Sequence, residues 1–147
     1  MFAEYDYELF PYVIVRFSKI TSHNDFDLFL SKWMNLYSQK KPFIFIFDTS
    51  NMSMISIKHC FMMASFIKQL KKQPIHYLQK SYIIVNNLFI EKLVTMLFYL
   101  QRPVADVFII RNSIDILKKY ITQNKIIERQ VEIVDHITPG TSIIPFL

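Results

Sequence analysis

The chain is divided into blocks in which apolar residues follow one another as in a strand or recur at the spacing of a helix. The clearest strand, residues 42–48, is an unbroken apolar run that ends in Asp48. A strand that is apolar on both faces must be covered on both faces, which is typical of a parallel sheet in an α/β domain. Before it, the apolar residues from Phe26 to Tyr37 recur at the spacing of one helix face.

The same two periodicities predict further elements on both sides. They are strands at 3–9, 11–18, 81–85 and 106–110, and helices that begin near Ser22 or Asn24, near Ser53 or Ser56, at 88 and after Ser113. Strands that alternate with helices over short connections predict βαβ units. We therefore predict one α/β domain over residues 1–147, with a mixed, mainly parallel sheet of about five strands and helices on both faces. Its core covers about residues 3–122, and a C-terminal helix and tail occupy 123–147.

Composition narrows the class of protein. A chain of 147 residues that is 52% hydrophobic has enough apolar side chains for a core. A Gly-rich phosphate loop is excluded, because such a loop needs several Gly and the chain has one. Lys or Glu interrupts each apolar stretch well before the length of a membrane span. The single Cys60 fits a reducing compartment, so we expect a soluble cytoplasmic protein. The bias toward Ile, Lys, Asn, Phe and Tyr is typical of AT-rich coding, as in some large DNA viruses.

Three segments resemble the STAS fold of sulfate transporters and anti-sigma-factor antagonists, the SpoIIAA-like domains. They are Ser18–Phe26 before the first long helix, Phe45–Ser50 with its Asp48, and Val107–Leu117 with the last strand and helix. The match covers residues 3 to about 122. The lipid-binding CRAL-TRIO domain has a similar topology and is the alternative resemblance. A SpoIIAA-like domain implies a regulatory protein–protein module, whereas a CRAL-TRIO-like domain implies a hydrophobic ligand.

The STAS resemblance also directs attention to serines at the start of the second helix. In bacterial antagonists a Ser there is phosphorylated, but the aligned position in this chain is Ile57 and His59 stands in place of a Gly. Ser53 and Ser56 lie close by and are the candidate phosphorylation sites, because a helix N-terminus stabilises added negative charge. The alternative is that these serines only cap the helix.

Polar residues follow the strands at the predicted carboxyl edge of the sheet. In open α/β sheets this edge holds the ligand site, and a carboxylate, a guanidinium and amides that converge there would bind a small polar ligand. The alternative is that the same residues cap helices and close turns. The candidate ligand-binding residues are Asp48, Ser50, Asn86 and Arg111.

No residue pattern indicates catalysis. The four His are far apart, there is no second Cys, and no spacing supplies the ligands of a metal site. Met52 stands where a metal-ion-dependent adhesion site has its second Ser, and Ser50 stands where haloacid-dehalogenase phosphatases have a second Asp. We therefore expect no catalytic residue, no metal and no cofactor, and predict that the chain is not an enzyme.

Basic residues gather near the predicted C-terminal ends of helices. The formal net charge is +5, so these residues would form a positive pole that can contact anionic lipid head groups, or they only complement the helix dipoles. Few of the cations are Arg and none is interleaved with aromatic residues, so nucleic acid is an unlikely partner. The residues are Lys40, Lys41, Lys68, Lys71 and Lys72.

The helix at 88–101 carries more apolar residues than one buried face needs. Exposed apolar patches usually mark interfaces or ligand grooves. We predict self-association through this helix, by the residues Phe89, Met96, Phe98 and Tyr99. The alternatives are that Ile143–Leu147 packs over the helix, or that the apolar excess lines a cavity for lipid or another small hydrophobic ligand, as in a CRAL-TRIO domain.

Overall fold

The structure is a computed structural model that describes residues 2–52 and 55–140. Its strands and helices alternate along the chain, with two strands at the beginning and one at the end. In order they are β1 (Ala3–Asp6), β2 (Tyr12–Phe17), α1 (His23–Ser38), β3 (Phe43–Asp48), α2 (Ile57–Leu70), β4 (Leu78–Ile84), α3 (Leu88–Leu100), β5 (Asp106–Arg111), α4 (Ile114–Thr122), a 3₁₀ turn (Ile127–Arg129) and β6 (Glu132–Ile137).

All six strands belong to one sheet, in which they lie side by side in the order of the chain. Strands β2 to β5 are parallel to one another, whereas β1 and β6 are antiparallel at the two edges. Each parallel pair is joined through one helix, as a parallel pair requires. The predicted α/β class, with a mixed and mainly parallel sheet, is confirmed.

Helices cover both faces of the sheet, but unequally. Phe43, Phe45 and Phe47 of β3 belong to the core under α1, α2 and α3, whereas Ile46 belongs to a smaller core under α4 and the 3₁₀ turn. This alternation follows from the two-residue period of a strand, whose successive side chains point to opposite faces. We call the first side the three-helix face and the second the α4 face. Helices on both faces were predicted, and three lie on one of them.

The sixth strand corrects the prediction for residues 123–147. A C-terminal helix was expected there, but the described part of this segment forms a 3₁₀ turn and the edge strand β6, which pairs with β5 from Val107 to Arg111. Ile137 is the only fully buried residue of β6, and Ile133 is exposed. An edge strand with so little burial lacks the apolar alternation by which strands are predicted from sequence.

A cluster on the α4 face ties the 3₁₀ turn to the sheet. The Tyr82 hydroxyl of β4 donates to the Glu128 carboxylate, and the Lys80 ammonium lies 3.1 Å from the same carboxylate. Burial alone would raise the pKa of Glu128, but the hydrogen bonds from Tyr82 and Lys80 leave it below its usual value. Burial, followed by the bond to Glu128, raises the pKa of the Tyr82 phenol.

The helices begin at the polar residues that their sequences indicate. Ser22 is the N-cap of α1, and the side chains of Ser56, Asn87 and Ser113 accept backbone N–H groups at the starts of α2, α3 and α4. Each cap satisfies a donor that the first turn of a helix leaves without an internal partner. The caps place all four helix N-termini at or near the carboxyl edge of the parallel strands.

The Asp25 carboxylate closes the start of α1. Its Oδ2 accepts the Thr21 backbone N–H at 2.7 Å, the Thr21 hydroxyl at 2.8 Å and the Ser22 backbone N–H at 3.1 Å. The hydrogen bonds from Thr21, followed by those from Ser22, lower the pKa of Asp25 to about 2. The ionised form is therefore favoured in the folded protein.

We predict that Asp25→Asn removes an acid-sensitive part of the stability. Because the pKa of Asp25 is lower in the folded than in the unfolded chain, its contribution is complete above about pH 4 and disappears as the pH falls toward 2. Urea denaturation of the natural chain and the variant should show a gap in midpoint at pH 6 that closes toward pH 2. Asp27→Asn, an equal charge change two residues further along α1, is the control. An equal gap at both pH values would contradict this role of Asp25.

Candidate functional site

Three of the four predicted ligand-binding residues meet at the carboxyl edge. Asp48 ends β3, and its Oδ1 accepts the Ser50 hydroxyl at 2.6 Å and the Ser50 backbone N–H at 3.0 Å. The Asn86 side-chain amide donates to the Ser50 hydroxyl oxygen at 2.8 Å. These contacts close the turn after β3 and link it to the turn after β4. The hydrogen-bonding groups of this cluster are largely used within it, which favours the turn-closing alternative.

Arg111 lies at the same edge but belongs to a different set of contacts. Its guanidinium is 3.0 Å from the Glu91 carboxylate of α3 and 3.9 Å from that of Glu132 in β6. These ion pairs tie β5 to its neighbours on either side. The predicted crevice of Asp48, Ser50, Asn86 and Arg111 therefore separates into a hydrogen-bonded turn and an ion-paired strand end.

Of the two candidate phosphorylation sites, only Ser56 lies among the described residues. Ser53 lies outside the described residues. The Ser56 hydroxyl accepts the backbone N–H of His59 as the cap of α2, and it lies 2.7 Å from His59 Nδ1. This contact between residues in one helical turn accounts for Ser56 as a cap, and its phosphorylation remains a prediction.

Helix α3 buries one of the four residues that were predicted to lie at an interface. Phe98, expected at an interface, is only 7% exposed and packs in the core together with Ile90. Ile90, Val94 and Phe98 lie at steps of four residues on the face of α3 that packs against the core. Of the remaining predicted interface residues, Phe89 and Tyr99 are exposed and Met96 is half-buried.

The predicted basic residues lie around the C-terminal ends of α1 and α2, at the amino edge of the parallel strands. Lys71 is the C-cap residue of α2, and its ammonium donates to the backbone carbonyl of Gly140 at 2.9 Å. Burial, followed by repulsion from Arg102, lowers the pKa of Lys71. We call Lys40, Lys41, Lys68, Lys71, Lys72 and Arg102 the basic edge.

An apolar cavity of about 130 Å³ lies between the sheet and the three-helix face. Helix α1 contributes Trp33 to its wall, α2 contributes Met63 and Ile67, and α3 contributes Val94 and Phe98. The cavity extends from Met52 and Ile55, after β3, to Pro103 and Val104, before β5. The apolar excess of the sequence indicated a cavity as an alternative, and the structure places one beneath α2 and α3.

Few polar groups border the cavity, and most of them are occupied or inert. The Thr49 hydroxyl donates to the Ile84 carbonyl at 2.6 Å, and burial raises the pKa of the Cys60 thiol. The Trp33 indole N–H is buried without a hydrogen-bond partner among the described residues, and its ring packs edge-on against Phe45 and Phe66.

The described residues contain no group of three or more His, Cys, Asp or Glu side chains that could hold a metal ion. Within the same residues, no helix has the length and apolarity to cross a bilayer. No protein-family model, curated protein or solved structure matches the chain. The resemblance to STAS and CRAL-TRIO domains therefore remains a prediction.

We predict that Phe98 contributes to the core and Tyr99 does not. Phe98→Ala removes a buried ring and should lower the free energy of unfolding by about 3–5 kcal/mol. Tyr99 is 56% exposed, so Tyr99→Ala in the neighbouring position should change it by less than about 0.5 kcal/mol. Urea denaturation followed by circular dichroism measures both. Equal losses for the two variants would show that α3 is rotated from the orientation described.

Proposed function

We propose that the chain is a non-enzymatic module that binds a small apolar ligand in the cavity beneath α2 and α3. The observation that carries the proposal is the cavity itself, because well-packed interiors leave few voids larger than a water molecule. Its wall is made almost wholly of apolar atoms. A wall of this kind favours a ligand that buries carbon.

The size of the cavity limits the ligand. Typical ligand pockets measure about 300–1,000 Å³, whereas an engineered apolar cavity of about 150 Å³ in another protein binds benzene. At about 130 Å³ this cavity suits a benzene derivative or a short alkyl chain rather than a whole lipid. Burial of about five methylene equivalents at ~0.8 kcal/mol each corresponds to a Kd of about 1 mM.

Adaptable side chains border the groove between the two helices. Met63 of α2 and Leu93, Val94 and Leu97 of α3 line the cavity and are all half-buried, so they separate it from solvent with single side chains. Met fills irregular spaces and changes rotamer at low cost. We propose that the ligand enters between α2 and α3, past these side chains.

The chemistry of the wall supports binding rather than catalysis. The described residues that line the cavity include no carboxylate, lysine or arginine, and their titratable groups are His59 and Cys60. Burial raises the pKa of the Cys60 thiol, which disfavours the thiolate that a cysteine nucleophile needs.

The only tryptophan of the chain provides a direct test. Trp33 lines the cavity, so its indole N–H signal in a ¹H–¹⁵N NMR spectrum reports occupancy. We expect toluene to shift this signal saturably, with a Kd of about 1 mM. Ala105→Leu, which fills the amino-edge end of the cavity, should weaken binding by about tenfold or more, and Thr122→Leu on α4 should leave it unchanged. No shift with toluene, or equal binding by both variants, would contradict the proposal.

Self-association is the second candidate function, and a separate observation favours it. Leu88 and Phe89, in the first turn of α3, are 62% and 44% exposed, and Ile57 and Phe61 are exposed at the start of α2. Because α2 packs beside α3 and both helices begin at the carboxyl edge, these side chains lie at the same end of the helix pair, and we propose that they form one apolar patch. Patches of this kind usually mark an interface.

We predict that Phe89→Asp yields a folded monomer if this patch joins two copies of the chain. A charge in the centre of an apolar interface must be desolvated, whereas Thr95→Asp places the same charge on the same helix away from the patch. Native mass spectrometry should show a dimer for the natural chain and Thr95→Asp, and a monomer for Phe89→Asp. The same mass for all three would exclude the patch as the interface.

A further inference from the structure

The residues after β6 lead the chain to α2. Strand β6 ends at Ile137, which pairs with Val107 at the start of β5 and is buried in the core of the three-helix face. Three residues later, the backbone carbonyl of Gly140 accepts a hydrogen bond from the Lys71 ammonium at 2.9 Å. Lys71 is the C-cap residue of α2, so residues 138–140 carry the chain from the edge strand to the C-terminal end of that helix.

The apolar groove between α2 and α3 starts close to this contact. Ile67 lies four residues before Lys71, which is about one turn of α2, and it lines the cavity. Further along the two helices, Met63, Leu93 and Leu97 also line the cavity but are only half-buried, so a part of each side chain remains exposed. Because α2 and α3 pack side by side, these partly exposed side chains border the groove between them.

The sequence that follows Gly140 has the composition to cover this groove. Residues 141–147 read Thr-Ser-Ile-Ile-Pro-Phe-Leu and lie outside the described residues; we call them the apolar tail. They carry two Ile, one Phe and one Leu, and no charged residue. Burial of each such side chain is favoured by about 1.5–3 kcal/mol over exposure to water. An apolar surface next to Gly140 is therefore a favourable binding site for the tail.

The tail is long enough to lie along the groove. Seven extended residues span about 23 Å at ~3.3 Å each, and the 14 residues of α2 form a helix about 21 Å long. From the C-terminal end of α2, the tail can therefore reach the side chains along the whole groove. The exposed Ile57 and Phe61 lie at the opposite end of α2, at the limit of this span. The groove suits the whole length of the tail, whereas that exposed surface does not.

We propose that the apolar tail docks in the groove between α2 and α3 of its own chain and covers Met63, Leu93 and Leu97. The contact between Lys71 and Gly140 starts the tail at one end of the groove, and both surfaces are uncharged and apolar. The consequence for ligands rests on the proposed function, because a docked tail covers the path by which a ligand enters the cavity. The tail thereby limits access to the cavity.

Nuclear Overhauser effects in the full chain test the docking directly. We expect cross-peaks between side chains of the tail and the methyl groups of Met63 or Leu97, and none to Ile14 or Ile110 on the α4 face. A mixture of ¹³C-labelled and unlabelled copies shows whether the contacts arise within one chain. The absence of cross-peaks between tail and groove, or cross-peaks only between different copies, would overturn the inference.

Toluene binding, followed by the Trp33 indole signal, tests the consequence for ligands. A tail that is docked in about four of five molecules weakens toluene binding by about fivefold. Phe146→Asp would place a charge in the apolar groove, where it must be desolvated, so this variant should bind toluene about fivefold more tightly than the natural chain. Thr141→Asp adds the same charge at a polar position of the tail and, as the matched control, should bind like the natural chain.

The two measurements separate this inference from the proposed function. Toluene binding that is equal in the natural chain, Phe146→Asp and Thr141→Asp would overturn the control of access by the tail and leave the cavity proposal intact. A Trp33 signal that toluene shifts in none of the three would overturn the cavity proposal, and the cross-peaks would still decide whether the tail lies in the groove.

Discussion

The packing of β3 between two unlike layers determines most of this structure. Phe43, Phe45 and Phe47 point to one face and pack with α1, while Ile44 and Ile46 point to the other. A parallel strand in the middle of a sheet must bury both faces, and this alternation of aromatic and aliphatic residues requires a thick layer on one side and a thin one on the other. Three helices cover the aromatic side, and one short helix with a 3₁₀ turn covers the aliphatic side.

The cavity follows from the same distribution of side-chain volume. Under α1 the rings are in close contact, with centroids 4.8 Å apart for Trp33 and Phe45 and 4.6 Å apart for Phe45 and Phe47. Under α2 and α3 the sheet side presents smaller residues, Ser81, Ala105 and Val107. Aromatic rings of β2, α1 and β3 line the same space, which therefore lies between the aromatic half of the sheet and the half with smaller residues.

Much of the fold could be predicted from the sequence, because strong local patterns agree with it. The apolar run of β3, the stripe of α1 and the capping residues Ser22, Ser56 and Ser113 all lie where the structure has them. The edge strand β6 could not be predicted from its own sequence, because its apolar and polar residues do not alternate regularly. Its pairing with β5 holds it in the sheet. Phe98 of α3 was predicted at an interface and lies in the core, because most positions on that helix are apolar and more than one face could be buried.

The candidate site was harder to predict for a reason of the same kind. Asp48, Ser50 and Asn86 meet because they lie at or just after the ends of the adjacent parallel strands β3 and β4. The predicted topology already contains this arrangement. Arg111 is drawn away by Glu91 and Glu132, which are 20 and 21 residues distant in the chain. A cavity is the volume left between elements and has no sequence motif, so only the general excess of apolar residues indicated one.

Xenon binding, followed by NMR of the methyl groups, tests most directly whether this apolar space exists and admits a ligand. Xenon enters dry apolar cavities without needing a polar contact. Under xenon pressure the methyl signals of Ile67, Ile90 and Val94 should shift saturably, while those of Ile14 and Ile110 on the α4 face should not. Equal small shifts on both faces, or none at all, would show that the core is filled and would contradict the account.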